Sequence, residues 1–187
     1  MRSMGVYIHI PFCIQKCVYC DFLSGPATRQ RQQEYVEALL REIVWESKHY
    51  AAYTVKTIFF GGGTPSVLEA GDIARILDCL REHYRIDADA EITLEMNPGT
   101  AAWDKLVNFK QAGINRFSIG LQSADNTELK MLGRIHTYEA FLQTYHQARE
   151  AGFANINIDL MSALPGQHIK NWVRTLEKVV ALQPEHI

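Results

Sequence analysis

The sequence predicts an α/β fold built on a curved parallel sheet, a partial (β/α) barrel. Two observations carry this. Short runs rich in Ile, Val, Phe and Tyr recur along the chain, each bounded by Gly, Pro or Asn, as buried strands are. Between them lie apolar stripes with the spacing of amphipathic helices. Strand and helix in alternation imply parallel neighbours joined by right-handed crossovers. A doubly wound open sheet is the second arrangement with this rhythm, and strand spacing does not separate the two.

The first run is V-Y-I-H-I at 6–10, and its helix carries the stripe Val36, Leu39, Leu40 and Ile43. The second is T-I-F-F at 57–60, followed by Ile73, Ile76, Leu77, Leu80 and Tyr84. The third, E-I-T-L-E at 91–95, precedes a helix beginning at Trp103, Leu106 and Val107 that Gly113 ends. After R-F-S-I-G at 116–120 come Phe141, Tyr145 and Ala148, with a glycine cap near Gly152. The fifth run, N-I-N-I-D-L at 155–160, leads to Trp172, Leu176, Val179 and Val180, closed by Gln183-Pro184. E-H-I at 185–187 reads as the opening of a sixth strand, so the chain is expected to be the front portion of a longer protein.

The 187 residues suit one domain over 1–187. With 47% hydrophobic and 21% charged residues, usage is that of an ordinary globular chain. A net charge of −2 offers no basic field for nucleic acid or anionic lipid. No stretch approaches the ~20 apolar residues of a membrane span. The N-terminal M-R-S-M-G-V-Y-I-H-I-P-F-C lacks the small-residue cleavage site of a signal peptide. A cytoplasmic location is expected, where thiols stay reduced and clustered cysteines favour metal over disulfide.

Three of the four cysteines fall in C-I-Q-K-C-V-Y-C at 13–20. The spacing of Cys13, Cys17 and Cys20 would share one face of a helix, but Pro11, Asp21 and the Ser24-Gly25-Pro26 turn favour a loop. A structural zinc site needs a fourth ligand. His9 is one candidate, while Cys79 lies on a helix expected to pack elsewhere. A disulfide would leave a spare thiol. In a cubane iron–sulfur cluster, three thiolates leave one of four irons open, which turns the odd count into a coordination site for something else.

Chemistry in parallel α/β folds collects at the carboxyl ends of the strands. Each predicted strand end here is equipped: the cysteines after the first, Gly61-Gly62-Gly63-Thr64-Pro65 after the second, Glu95 and Asn97 after the third, Gln122 after the fourth and Asp159 near the end of the fifth. Three glycines in a row let ligand groups approach the backbone. The run is neither a Walker A loop nor a G-x-G-x-x-G fingerprint. An acidic group ending an apolar strand must be paired or ligand-bound, because a buried lone charge is costly.

The pattern C-x-x-x-C-x-x-C in C-I-Q-K-C-V-Y-C resembles that of the radical S-adenosylmethionine (SAM) enzymes. Y-I-H-I-P-F-C, F-F-G-G-G-T-P-S, E-M-N-P-G, R-F-S-I-G-L-Q-S, L-G-R-I-H and I-D-L-M-S-A-L-P-G-Q together resemble one subgroup along essentially the whole chain. It comprises oxygen-independent coproporphyrinogen III oxidase and a haem-chaperone branch. The resemblance implies a partial (β/α)6 TIM-like barrel, of which this chain supplies five βα units and the start of a sixth. It implies a [4Fe–4S] cluster on Cys13, Cys17 and Cys20, with SAM chelating the open iron. In the family, SAM is split to a 5′-deoxyadenosyl radical that abstracts hydrogen from substrate.

Carried over by position, the resemblance implies SAM contacts at Tyr7 and at Tyr19, the aromatic residue before the third cysteine. Gly62, Gly63 and Thr64 would receive the methionine part. Glu95, Gln122, Arg134 and Asp159 would supply polar contacts, the Arg134 fork suiting a carboxylate. The oxidase branch typically continues its motif as Cys-Gly-Cys, whereas Cys20 is followed here by Asp21-Phe22-Leu23. That favours the chaperone branch, whose expected partners are haem or porphyrin, client haem proteins and an electron donor. The enzyme alternative is oxidative decarboxylation of coproporphyrinogen propionates to vinyls.

Overall fold

A computed structural model describes residues 2–187. Five strands form one sheet: β1 (Arg2–Ile10), β2 (Tyr53–Gly62), β3 (Ile86–Met96), β4 (Arg116–Gln122) and β5 (Ile156–Leu160). Every adjacent pair is parallel, and the order across the sheet is the order along the chain. A doubly wound sheet reverses direction at a switch point. This one never reverses, so the chain advances one way around a partial TIM-like barrel with its crossovers on one face.

The helices are α1 (Arg29–Ser47), α2 (Ala70–His83), α3 (Trp103–Ala112), α4 (Asn126–Met131), α5 (Tyr138–Glu150) and α6 (Ile169–Val180). α1 starts at Thr28, whose hydroxyl accepts from the Arg31 amide, and α5 at Thr137, which accepts from Ala140. Gly113 closes α3 in the left-handed region with φ 106°. The expected stripes of α1, α2 and α5 are buried at Val36, Ile43, Ile73, Ile76, Leu77, Phe141 and Tyr145. Tyr84 lies just past α2, in extended backbone. In α6 the covered positions are Thr175 and Val179, and Val180 is exposed.

Three strands begin earlier than their apolar runs. Arg2–Gly5 pairs along its length, Tyr53–Val55 pairs with it and Ile86 pairs with Val55, with register shifts at Met4/Gly5 and Val55/Thr57. These stretches carry Gly, Lys and Asp, which strand propensity disfavours. They lie at the amino ends, where neighbour pairing joins the burial of Val55 and Ala90 in holding them. α4 is short, nucleated by Asp125, whose carboxylate accepts from the Thr127 and Glu128 amides. At the other end of the chain, His186 bridges Asn157 in parallel, and Ile158 donates to its carbonyl at 3.1 Å. That is the expected sixth-strand position beside β5.

Period-2 alternation splits the sheet into two unlike faces. Ile8, Ile10, Ile58, Phe60, Ile92, Leu94, Phe117, Ile119, Ile156 and Ile158 are buried in one apolar core with the helices. The registers place Tyr7, Phe59, Thr93 and Arg116 in one row across the opposite, concave face, with Glu95, Ser118 and Asn157 in the row nearer the carboxyl ends. A TIM barrel ordinarily fills that interior with branched apolar side chains. Here it is largely polar, its groups partly paired with one another through Arg116 with Thr93 and through Ser118 and Asn157 with Asp159.

Candidate functional site

The cysteine segment is a loop, not a helix. Pro11 and Gly25 clasp it at its base: the Cys13 amide donates to the Gly25 carbonyl at 3.0 Å and the Gly25 amide to Pro11 at 3.0 Å. The Val18 amide reaches the Leu132 carbonyl, and the Gln15 carboxamide reaches that of Gly133. This fastens the loop across the barrel mouth to the segment after α4. All four cysteines are free. Cys79 lies on α2, its sulfur facing the Leu40 carbonyl of α1 and His83, away from the other three. The His9 ring is turned towards Tyr7 and the Leu23 carbonyl.

The glycine run makes room for this loop. A Cβ on Gly63 would lie 2.6 Å from the Phe12 carbonyl oxygen, and one on Gly62 would lie 2.5 Å from the His9 ring. Gly62 also has φ 111°, a conformation open chiefly to glycine. The Gly63 amide donates to Ile10 at 2.8 Å and the Thr64 amide to Phe12 at 2.7 Å. The space the glycines leave is thus used in part by the Phe12 backbone and the His9 ring, and Cys13 is seated beside Thr64.

A cavity of about 320 Å³ opens at the carboxyl ends of the strands. Cys13, Cys17, Cys20 and Tyr19 line it from the loop. Gly62, Gly63 and Thr64 line it from the end of β2, Glu95 from β3, Gln122 from β4, Arg134 from the segment after α4 and Asp159 from β5. Tyr7 does not line it. It sits lower on the concave face, stacked on Phe59 with centroids 6.1 Å apart and its hydroxyl 3.3 Å from His9 Nδ1.

Wall residues not singled out from the sequence include Lys16, Ser118, Gly120 and Met161. The alternation in R-F-S-I-G is the signal for Ser118 and Gly120, which share a face and stand opposite Asn157 and Asp159. Nothing in the sequence marks Met161.

The electrostatics are those of a partly dry acidic pocket. Burial pushes Glu95 up to about 7; Asp159 adds to the rise, and the Gly62 amide, 3.1 Å from Glu95 Oε2, opposes it. Asp159 is likewise raised by burial, against hydrogen bonds from Ser118 at 3.0 Å and Asn157 at 2.6 Å. Burial, with Cys17 beside it, lifts Tyr19 to about 12 against the pull of Arg134. Arg134 meets no carboxylate within hydrogen-bond reach. It donates to the Asn97 side chain at 2.7 Å and to the Gly120 carbonyl, and its Nε is buried without a partner.

Two acidic groups whose ionised forms are disfavoured by burial suit a ligand that brings positive charge or hydroxyl donors. The three thiols of the cluster loop line the same cavity. Among the described residues no three His, Cys, Asp or Glu converge to hold a single metal ion. One ion gathers thiolates at about 2.3 Å, whereas each thiolate of an iron–sulfur cubane holds a different iron. Three cysteines lining one cavity are a donor set of the kind that holds such a cluster.

Residues 7–179 match the model of the radical SAM superfamily. The chain belongs to this family. As a radical SAM protein it is 40% identical over 188 residues to "Heme chaperone HemW" of Escherichia coli (strain K12), covering 100% of this chain and 50% of that protein. It is 36% identical over 183 residues to "Heme chaperone HemW" of Bacillus subtilis (strain 168), covering 97% and 48%. Among solved structures it is similar to the Escherichia coli coproporphyrinogen III oxidase (HemN), described as a radical SAM enzyme. That match has a TM-score of 0.89 and 34% identity over 98% of this chain and 43% of that one. The chain spans about half the length of the curated relatives it matches.

Proposed function

We propose that this chain is the SAM-binding part of a haem chaperone, which binds haem and delivers it to client haem proteins. A [4Fe–4S] cluster would sit on Cys13, Cys17 and Cys20, and SAM would lie in the cavity beside it. The observation that carries the cofactor reading is the shared wall: three unpaired thiols, a glycine-walled strand end and two half-buried carboxylates face one volume. When bound, the cluster supplies an electron and an open iron for the amino and carboxylate groups of SAM.

The chain's own residues would do the positioning. Glu95 and Asp159 accept from the amino and ribose groups, and a bound cation favours the ionised form that burial disfavours. Gln122, held at φ 71° where the β4–β5 register shifts, turns its carboxamide into the cavity. Tyr19 covers the adenine, and Gly62, Gly63 and Thr64 border the methionine part. Arg134 keeps its unpartnered Nε for the ligand carboxylate. Tyr7 acts from below, through its proximity to Glu95.

The chaperone reading is supported by the relatives named heme chaperone and by Asp21-Phe22 where the oxidase branch has Gly-Cys. The likeness to the coproporphyrinogen oxidase structure favours oxidative decarboxylation as the second reading. One anaerobic experiment separates them. The protein is reconstituted with iron and sulfide, then given coproporphyrinogen III, SAM and reductant, and separately haem. Uptake of about four irons, haem binding and no vinyl product are expected. Vinyl product overturns the chaperone assignment, and failure to take up iron overturns the cofactor assignment.

A further inference from the structure

We propose that Asn97 is a positioning residue: it aims the Arg134 guanidinium and the Thr64 hydroxyl at the sulfurs of Cys17 and Cys13, and so raises the reduction potential of the cluster they hold. This rests on the cluster reading above.

The hydrogen bonds run in one direction only. Arginine donates and never accepts. Arg134 Nη2 donates to Asn97 Oδ1 at 2.7 Å, which fixes the amide with its nitrogen on the other side. Asn97 Nδ2 then donates to Thr64 Oγ1 at 2.9 Å. Having accepted there, the Thr64 hydroxyl has its proton free for Cys13 Sγ, 3.7 Å away. At the opposite end Arg134 Nη1 points to Cys17 Sγ at 3.6 Å. The chain Cys17–Arg134–Asn97–Thr64–Cys13 thus ends on a sulfur acceptor at both ends, the role of a thiolate.

Asn97 is the one member that touches both donors, and it is itself held. Its carbonyl accepts from the Thr100 amide at 3.2 Å and hydroxyl at 2.6 Å. The Arg134 plane is held by the Gly120 carbonyl. Hydrogen bonds and positive charge at cluster sulfurs favour the reduced, more negative state, so they raise the potential.

The test is a redox titration of the reconstituted protein with dithionite, which supplies one electron per cluster, followed by visible absorption and electron paramagnetic resonance. Asn97→Ala and Thr64→Val are both neutral changes. Both are expected to take up the wild-type amount of iron and to lower the potential, Asn97→Ala the more because both donors lose their aim. Thr64→Ser keeps the hydroxyl and is expected to restore the wild-type value. A wild-type potential in Asn97→Ala with full iron overturns the proposal, as would be expected if Asn97 merely capped β3. Should Asn97→Ala fail to load, Thr64→Val decides alone: an unchanged potential overturns the proposal. A wild-type protein that takes up no cluster instead refutes the cofactor reading, and this inference falls with it.

Discussion

The Gly62 amide donates to Glu95 Oε2 at 3.1 Å, so the glycine run after β2 holds a carboxylate from the end of β3. That single donor does not offset burial, and Glu95 rises from 4.5 to about 7. A raised acid contributes stability that is present below its unfolded value and is lost as pH rises through the folded one. At 1.36 kcal/mol per unit the ionisation cost above pH 7 is on the order of 3 kcal/mol. Glu95→Gln, which never ionises, is therefore expected to melt higher than wild type at pH 8 and close to it at pH 4. Thermal unfolding at the two pH values checks this; an equal difference at both would show that Glu95 does not titrate in the window.

Cys17→Ala is expected to abolish the visible absorption of the reconstituted cluster, and Cys79→Ala to leave it. Cys79, on α2, faces the Leu40 carbonyl of α1 and His83, and burial raises its thiol further from the thiolate that binds metal. Absorption spectra and iron content of the two variants decide. Bleaching by Cys79→Ala would mean a four-thiolate site.

The barrel was legible because its signals are local. Each strand's core face is mostly Ile, Leu and Phe at every second residue, and the stripes of α1, α2 and α5 follow the helical period. Glu95, Gln122 and Asp159 stood out because each interrupts an apolar run at its end. The early strand starts at Arg2, Tyr53 and Ile86 were not legible, since those stretches are held in part by pairing with distant neighbours. Asn97 was visible at a strand end, but its role depends on Arg134, a residue 37 positions away. The glycine run drew attention to a ligand, whereas its closest contacts are His9 and Phe12.

Gly63→Ala tests that last point. Its Cβ would lie 2.6 Å from the Phe12 oxygen and 2.9 Å from the Phe12 nitrogen, both backbone atoms that cannot swing aside. The loop must move, and overpacking of this kind costs about 1–3 kcal/mol. The expected result is a lower melting temperature together with reduced iron uptake, because Phe12 carries Cys13. Gly71→Ala is the control, since a Cβ there meets nothing within 4 Å. Normal iron loading in Gly63→Ala would show that the cysteine loop does not depend on this contact.

The two roles proposed for Arg134 separate by substitution. Its Nη atoms serve Cys17, Asn97 and the Gly120 carbonyl, while Nε is buried without a partner. Arg134→Ala removes all of these and is expected to weaken SAM by about tenfold or more, the scale of a lost charged hydrogen bond. It should leave the three thiols and hence about four irons. Arg134→Lys keeps the charge as a single point but loses the planar fork. It can serve Cys17 or the ligand, not both together with Asn97, so an intermediate SAM affinity is expected. Calorimetry of SAM binding beside iron analysis checks the pair. Loss of iron in Arg134→Ala would place this residue in cluster assembly rather than in ligand binding.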